Sequence, residues 1–180
     1  MGISGFLHKT NFDPLTLLFQ STESVMTTPE EKIQELHLIL PKAATPVAKY
    51  KMAVRVGNML YVSGHGPARI SATTPTNGRL GKDLTLEQGR ESARAVGLNI
   101  LATVRDQLGS LDKVVRLVKT LGLVNSSPDF LDHPKVINGY SDLMAEVFGE
   151  DAGVGARSAF GTVALPGNIP VEIECIFEVK

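Results

Sequence analysis

The sequence predicts an α+β layer protein in the order two strands, helix, strand, helix, two strands, with both long helices lying on one face of a mixed sheet. Three observations carry this prediction. VEIECIFEV (171–179) alternates apolar and polar residues with the period of a half-buried strand. Ala93, Gly97, Ile100, Leu101, Val104 and Leu108 fall on one helical stripe, which gives that helix a single face to bury. With 180 residues, 43% of them hydrophobic, the chain has material for one core of ordinary size.

Each element follows from local chemistry. Thr28 offers a capping hydroxyl, Pro29 a preset first turn and Glu30 and Glu31 a favourable charge for the helix dipole, so a short helix is expected to about Ile39. PKAATP breaks it. Met52–Val56 and Met59–Ser63 read as a hairpin turning at Gly57 and Asn58, residues that tolerate positive φ. The Gly-, Pro- and Thr-rich residues 64–82 read as a surface loop. Thr85 caps the first long helix and Gly109 ends it. Val114–Val124 is a strand dense in Val and Leu, NSSPDFLDHP a second loop, and Val136–Phe148 the second long helix, closed by Gly149. Strands at Ser158–Leu165 and Val171–Val179 flank a Pro-Gly-Asn turn.

Composition limits the function classes. Eighteen basic against nineteen acidic residues leave a formal charge of -1, so no overall field draws the chain to nucleic acid or an anionic membrane. No apolar run reaches a membrane span, and the N-terminal segment makes a poor secretory or transit signal. Residues 1–27 read as an extension and 28–180 as a single domain. A cytoplasmic location is expected, with a mitochondrial one left open. The single Cys175 alternates with Ile173 and Phe177, as a buried, inert thiol would. His8, His37 and His133 show no ligand spacing and there is one cysteine, so no metal site is expected.

Arg157 and Glu172 are the residues with chemistry to offer. A guanidinium grips a carboxylate in a fixed fork, and a carboxylate 15 positions on could act on whatever is held. Three blocks surround this pair: YKMAVRVGNMLYVSGHGP, LEQGRESARAVGLNILATVRDQLGSLDKVVRLVK, and then ARS followed by VEIE. In that order they resemble the Rid/YjgF family of reactive intermediate deaminases, also called the endoribonuclease L-PSP family. The resemblance runs from about Leu40 to Lys180.

The resemblance implies a chorismate-mutase-like fold, a homotrimer with a central barrel, and a small-molecule site between subunits. It implies that Tyr50 is the active-site tyrosine, Gly64 the glycine whose amide faces the ligand, Arg157 the carboxylate anchor and Glu172 the residue holding the attacking water. Asn138 corresponds to the pocket asparagine, and His65, beside Gly64, is a further candidate for binding or proton transfer. The implied reaction is cofactor-independent hydrolysis of a 2-imino or enamine acid to a 2-keto acid and ammonia. The chain departs from the deaminating members at AKYKM, at SGHGP and at Ala159, where many members carry cysteine. A metabolite-binding trimer without turnover is therefore the alternative. RNA cleavage ranks last, since only 6% of residues are aromatic and charge is balanced.

Overall fold

Thr28 closes a capping box with Glu31, so the first helix, α1, starts where the cap chemistry places it, at Pro29. It ends at Glu35 instead of Ile39, because His37 turns into the left-handed region at φ 51°. The computed structural model describes residues 1–2 and 27–180, which leaves almost all of the expected N-terminal extension outside the described residues.

Strands β1 (Ala53–Val56) and β2 (Met59–His65) form the expected hairpin, with Gly57 at φ 60° in its turn. The long helix α2 (Leu86–Leu108) opens with a Thr85–Gln88 capping box and stops at Gly109, φ 81°. Strand β3 (Val114–Asn125) leads through a loop to helix α3 (His133–Gly153). Helix α3 begins three residues before the sequence expectation because Pro134 fits a first turn, and Gly149 interrupts it without ending it. Strand β4 (Ala156–Thr162) runs parallel to β3, and its pairing ends at Thr162 beside Asn125, the last residue of β3. Strand β5 (Val171–Val179) completes the sheet.

The strand order is β1-β2-β5-β3-β4, antiparallel except for the β3–β4 pair. The fold is thus the predicted α+β arrangement with a mixed sheet. α2 and α3 pack on one face, where Val171, Ile173, Cys175, Phe177 and Val179 of β5 are buried. Burial raises the Cys175 thiol to about 12, so it stays protonated. The helices approach closely: a Cβ on Gly139 would meet the Arg90 carbonyl. Arg90–Asp142 and Arg94–Glu146 ion pairs, at 2.8 and 2.7 Å, tie their exposed rims. Arg105 binds Glu30 through two hydrogen bonds of 3.0 and 2.6 Å and thereby docks α1.

The opposite sheet face has no helix over it. Val54, Tyr61 and Phe160 are 46%, 46% and 49% exposed there, and Val54 and Tyr61 border a depression of about 340 Å3. Three large apolar side chains open to water on one sheet face form the kind of patch that marks an interaction surface. No helix among the described residues is long and apolar enough to cross a membrane.

Candidate functional site

Sheet register decides which candidate residues can meet. Leu123 stands beside Glu172 on one side and Phe160 on the other, and both neighbours share its open face. Thr120, three residues earlier on β3, is buried under the helices and stands beside Arg157. Arg157 therefore leaves the sheet on the helix-bearing side of the edge strand and Glu172 on the bare side. Two strand spacings and three residues separate them, about 10 Å in each direction.

The Arg157 group is built on β4 and α3. Nη1 donates to Asn138 Oδ1 at 2.8 Å and to Ser141 Oγ at 3.0 Å, while Nε and Nη2 have no protein partner among the described residues. The two helix residues stand three apart, on one face, and so meet the same guanidinium. Ser141 was not foreseen from the sequence, although its spacing from Asn138 was the available signal. No carboxylate pairs with Arg157 among the described residues. The side chain is exposed, held at one nitrogen and free at the rest of its fork.

The Glu172 group is built on β2 and β5. An extra residue between Val62 and His65 shifts the β2–β5 register and turns the Gly64 backbone toward β5. A Cβ added to Gly64 would collide with Glu172 Oε1, so glycine lets this carboxylate rest in its present position. Burial, with the nearby charge of Glu174 adding to it, raises the Glu172 carboxyl above its ordinary 4.5. Tyr50 lies on the bend leading to β1, 43% exposed, in the segment that Ser63 ties back through 2.7 and 2.9 Å hydrogen bonds to Lys51 and Met52 carbonyls. Tyr50, Gly64 and Glu172 are gathered at one end of the sheet.

His65 does not join either group. It closes β2, 2% exposed beneath α2, with Nδ1 on the Ser63 carbonyl at 2.7 Å and Nε2 on Thr103 Oγ1 at 2.8 Å. Both ring nitrogens are occupied, and burial lowers its pKa below 6.5 despite the Ser63 carbonyl. The extra residue in β2 explains this: Leu60 and Val62 face the core, and the bulge after Val62 shifts the alternation so that Gly64 faces the open side and His65 the core. Among the described residues no cluster of three or more His, Cys, Asp or Glu could hold a metal ion.

This α+β fold has known relatives. Residues 30–177 match the family described as "YjgF/chorismate_mutase-like, putative endoribonuclease", and the chain belongs to that family. Protein TCP17 of Trypanosoma cruzi is 41% identical over 148 residues, covering 82% of this chain and 92% of that protein. A 2-iminobutanoate/2-iminopropanoate deaminase of Dermatophagoides farinae is 30% identical over 140 residues, covering 78% and 93%. The crystal structure of Atu1372 from Agrobacterium tumefaciens, a protein of unknown function, is 39% identical with a TM-score of 0.76, over 84% of this chain and 92% of that one.

Proposed function

We propose that the protein hydrolyses small 2-imino or enamine acids to 2-keto acids and ammonia, without a cofactor, at a site completed by two copies of the chain in a homotrimer. The observation that carries the reading is the division of the candidate residues between opposite sheet faces. Within one subunit Arg157 and Glu172 cannot grip one small molecule. A second copy set against the bare face and the β4 edge brings the Arg157, Asn138 and Ser141 of one subunit to the Tyr50, Gly64 and Glu172 of the next.

In that cavity Arg157 uses Nε and Nη2 for the substrate carboxylate, since Asn138 and Ser141 already hold Nη1. The anchor fixes the C=N carbon at a set distance from Glu172. Glu172 accepts a proton from water as the water oxygen adds to that carbon. It then passes the proton to nitrogen, and the carbinolamine collapses to a keto acid and ammonia as Glu172 relays its hydroxyl proton to the departing nitrogen. A carboxyl raised by burial suits this double transfer, because its proton affinity lies nearer to that of its partners. In this reading the Gly64 amide, unshielded by a side chain, donates to the substrate. The deaminase from Dermatophagoides farinae supports the reaction class, at 30% identity.

A carboxylate-binding trimer without turnover is the second reading, favoured by Ala159 beside the anchor, where a thiol is missing. Arg157→Ala, assayed for ammonia release from an enzymatically generated imino acid, separates them. The proposal predicts a fall in kcat/KM of about tenfold to a hundredfold, the worth of a charged hydrogen-bond pair. Wild-type protein that binds keto acids without accelerating ammonia release would replace it with the second reading.

A further inference from the structure

Parallel strands leave a crevice beyond their carboxyl ends, and β3 and β4 are the parallel pair of this sheet. At that end a cavity of about 380 Å3 opens between residues 126–133 and 161–163, with Arg79 on its wall. Arg157 stands five residues back along β4 from Thr162, about 17 Å away, so this cavity is separate from the anchor described above.

Arg79 is held by a built network. Its Nε donates to Asn125 Oδ1 at 3.2 Å and its Nη2 to the Val163 carbonyl. Asn125 is 1% exposed and spends its own amide on Asn168 Oδ1 and the Ile169 carbonyl, at 3.0 and 3.2 Å. The guanidinium is thus oriented, yet Nη1 has no partner and the charge has no carboxylate paired to it among the described residues. A fixed, unneutralised cation beside a cavity is an anion receptor with its orientation cost already met.

The remaining walls say what kind of anion. Phe130, Leu131 and Val163 make one side apolar, and Leu131 and Val163 are 79% and 84% exposed without a ligand. His133 forms the floor: its Nε2 meets Ser126 Oγ at 3.0 Å, and its ring stands edge-on to Phe130, centroids 5.5 Å apart. Gly161 lets β4 pass, since a Cβ there would strike both Nε2 and Oγ. Burial lowers the His133 pKa, more than the Asp132 charge offsets, so the floor is neutral and Arg79 supplies the positive charge. Phosphate or sulfate would meet this apolar wall with nothing to bury.

We propose that the crevice binds a small monocarboxylate with an apolar tail, Arg79 Nη1 taking the carboxylate and Phe130, Leu131 and Val163 the tail. Phenylpropionate is a suitable probe, titrated against the full chain and followed by backbone amide NMR. Saturable shifts are expected at residues 126–133 and 161–163, and they persist in Arg157→Ala. Phenylpropanol binds at least tenfold more weakly, as a charged hydrogen bond is worth about that factor or more. Arg79→Gln and, separately, Val163→Asp on the exposed wall each weaken phenylpropionate at least about tenfold. The Val163 variant keeps the test valid if Arg79→Gln unfolds. Absence of saturable shifts at those residues, their loss in Arg157→Ala, or unchanged affinity in Val163→Asp would overturn the proposal.

Discussion

Replacing Gly64 with alanine separates the folding role of the β2–β5 contact from its role in chemistry. The added Cβ would overlap Glu172 Oε1 and lie 3.0 and 3.2 Å from Glu172 Cδ and Cγ. Ordinary contact needs about 3.5 Å, so the carboxylate must retreat by roughly 1 Å or more. The atoms that give way are the far end of a flexible side chain. Rotating them costs about 0.5–1.5 kcal/mol, and Gly64 has no positive φ to strain, so alanine regains about 0.4–1 kcal/mol through the unfolded chain. The two terms offset within about 1 kcal/mol, and the variant folds. A catalytic group displaced by about 1 Å loses roughly a hundredfold in rate. The assay is ammonia release beside a urea melt. Gly139→Ala is the contrast, because its Cβ meets the Arg90 backbone carbonyl and the helices must separate, at a cost of about 1–3 kcal/mol or more. A folded Gly64→Ala protein with turnover within about threefold of wild type would refute the placement of Glu172 in the reaction.

Two further outcomes follow from buried groups. Tyr140 Oη, fully buried beside Thr120 and Cys175, has no hydrogen-bond partner of acceptable geometry. Tyr140→Phe is therefore expected to be neutral or stabilising by up to about 1 kcal/mol in a urea melt. His65 is buried with its pKa lowered, so below 6.5 the unfolded chain takes up a proton that the folded ring refuses. Stability present above 6.5 is then lost as pH falls toward the folded pKa, by at most about 1.4 kcal/mol per pH unit for one proton. Urea midpoints across that range should show a shallower decline for His65→Gln.

The elements were legible in the sequence because capping and alternation are local. Thr28, Thr85 and Gly109 mark their termini by chemistry that needs no tertiary partner, and VEIECIFEV shows its buried face directly. Register was not legible. That Arg157 stands beside Thr120 and Glu172 beside Leu123 is decided by pairing across the sheet, so the sequence alone could not show that the two residues take opposite faces. His65 was misplaced for a related reason: it reads as a loop residue after SG, but β2 continues through it and the bulge after Val62 turns it inward. Arg79, Ser126 and His133 lie up to 54 residues apart and meet because the loop before α2 pairs, at Leu80, with the end of β3, which no local motif announces.

Complementation tests the two-copy site most directly. Arg157→Ala and Glu172→Gln chains are co-expressed with different tags and the mixed oligomer is isolated. Each homo-oligomer lacks one half of every site and should be inactive. In a trimer every mixed ring has both halves intact at one of its three interfaces, so about a third of wild-type ammonia release is expected. A mixed oligomer as inactive as its parents would contradict a site shared between copies.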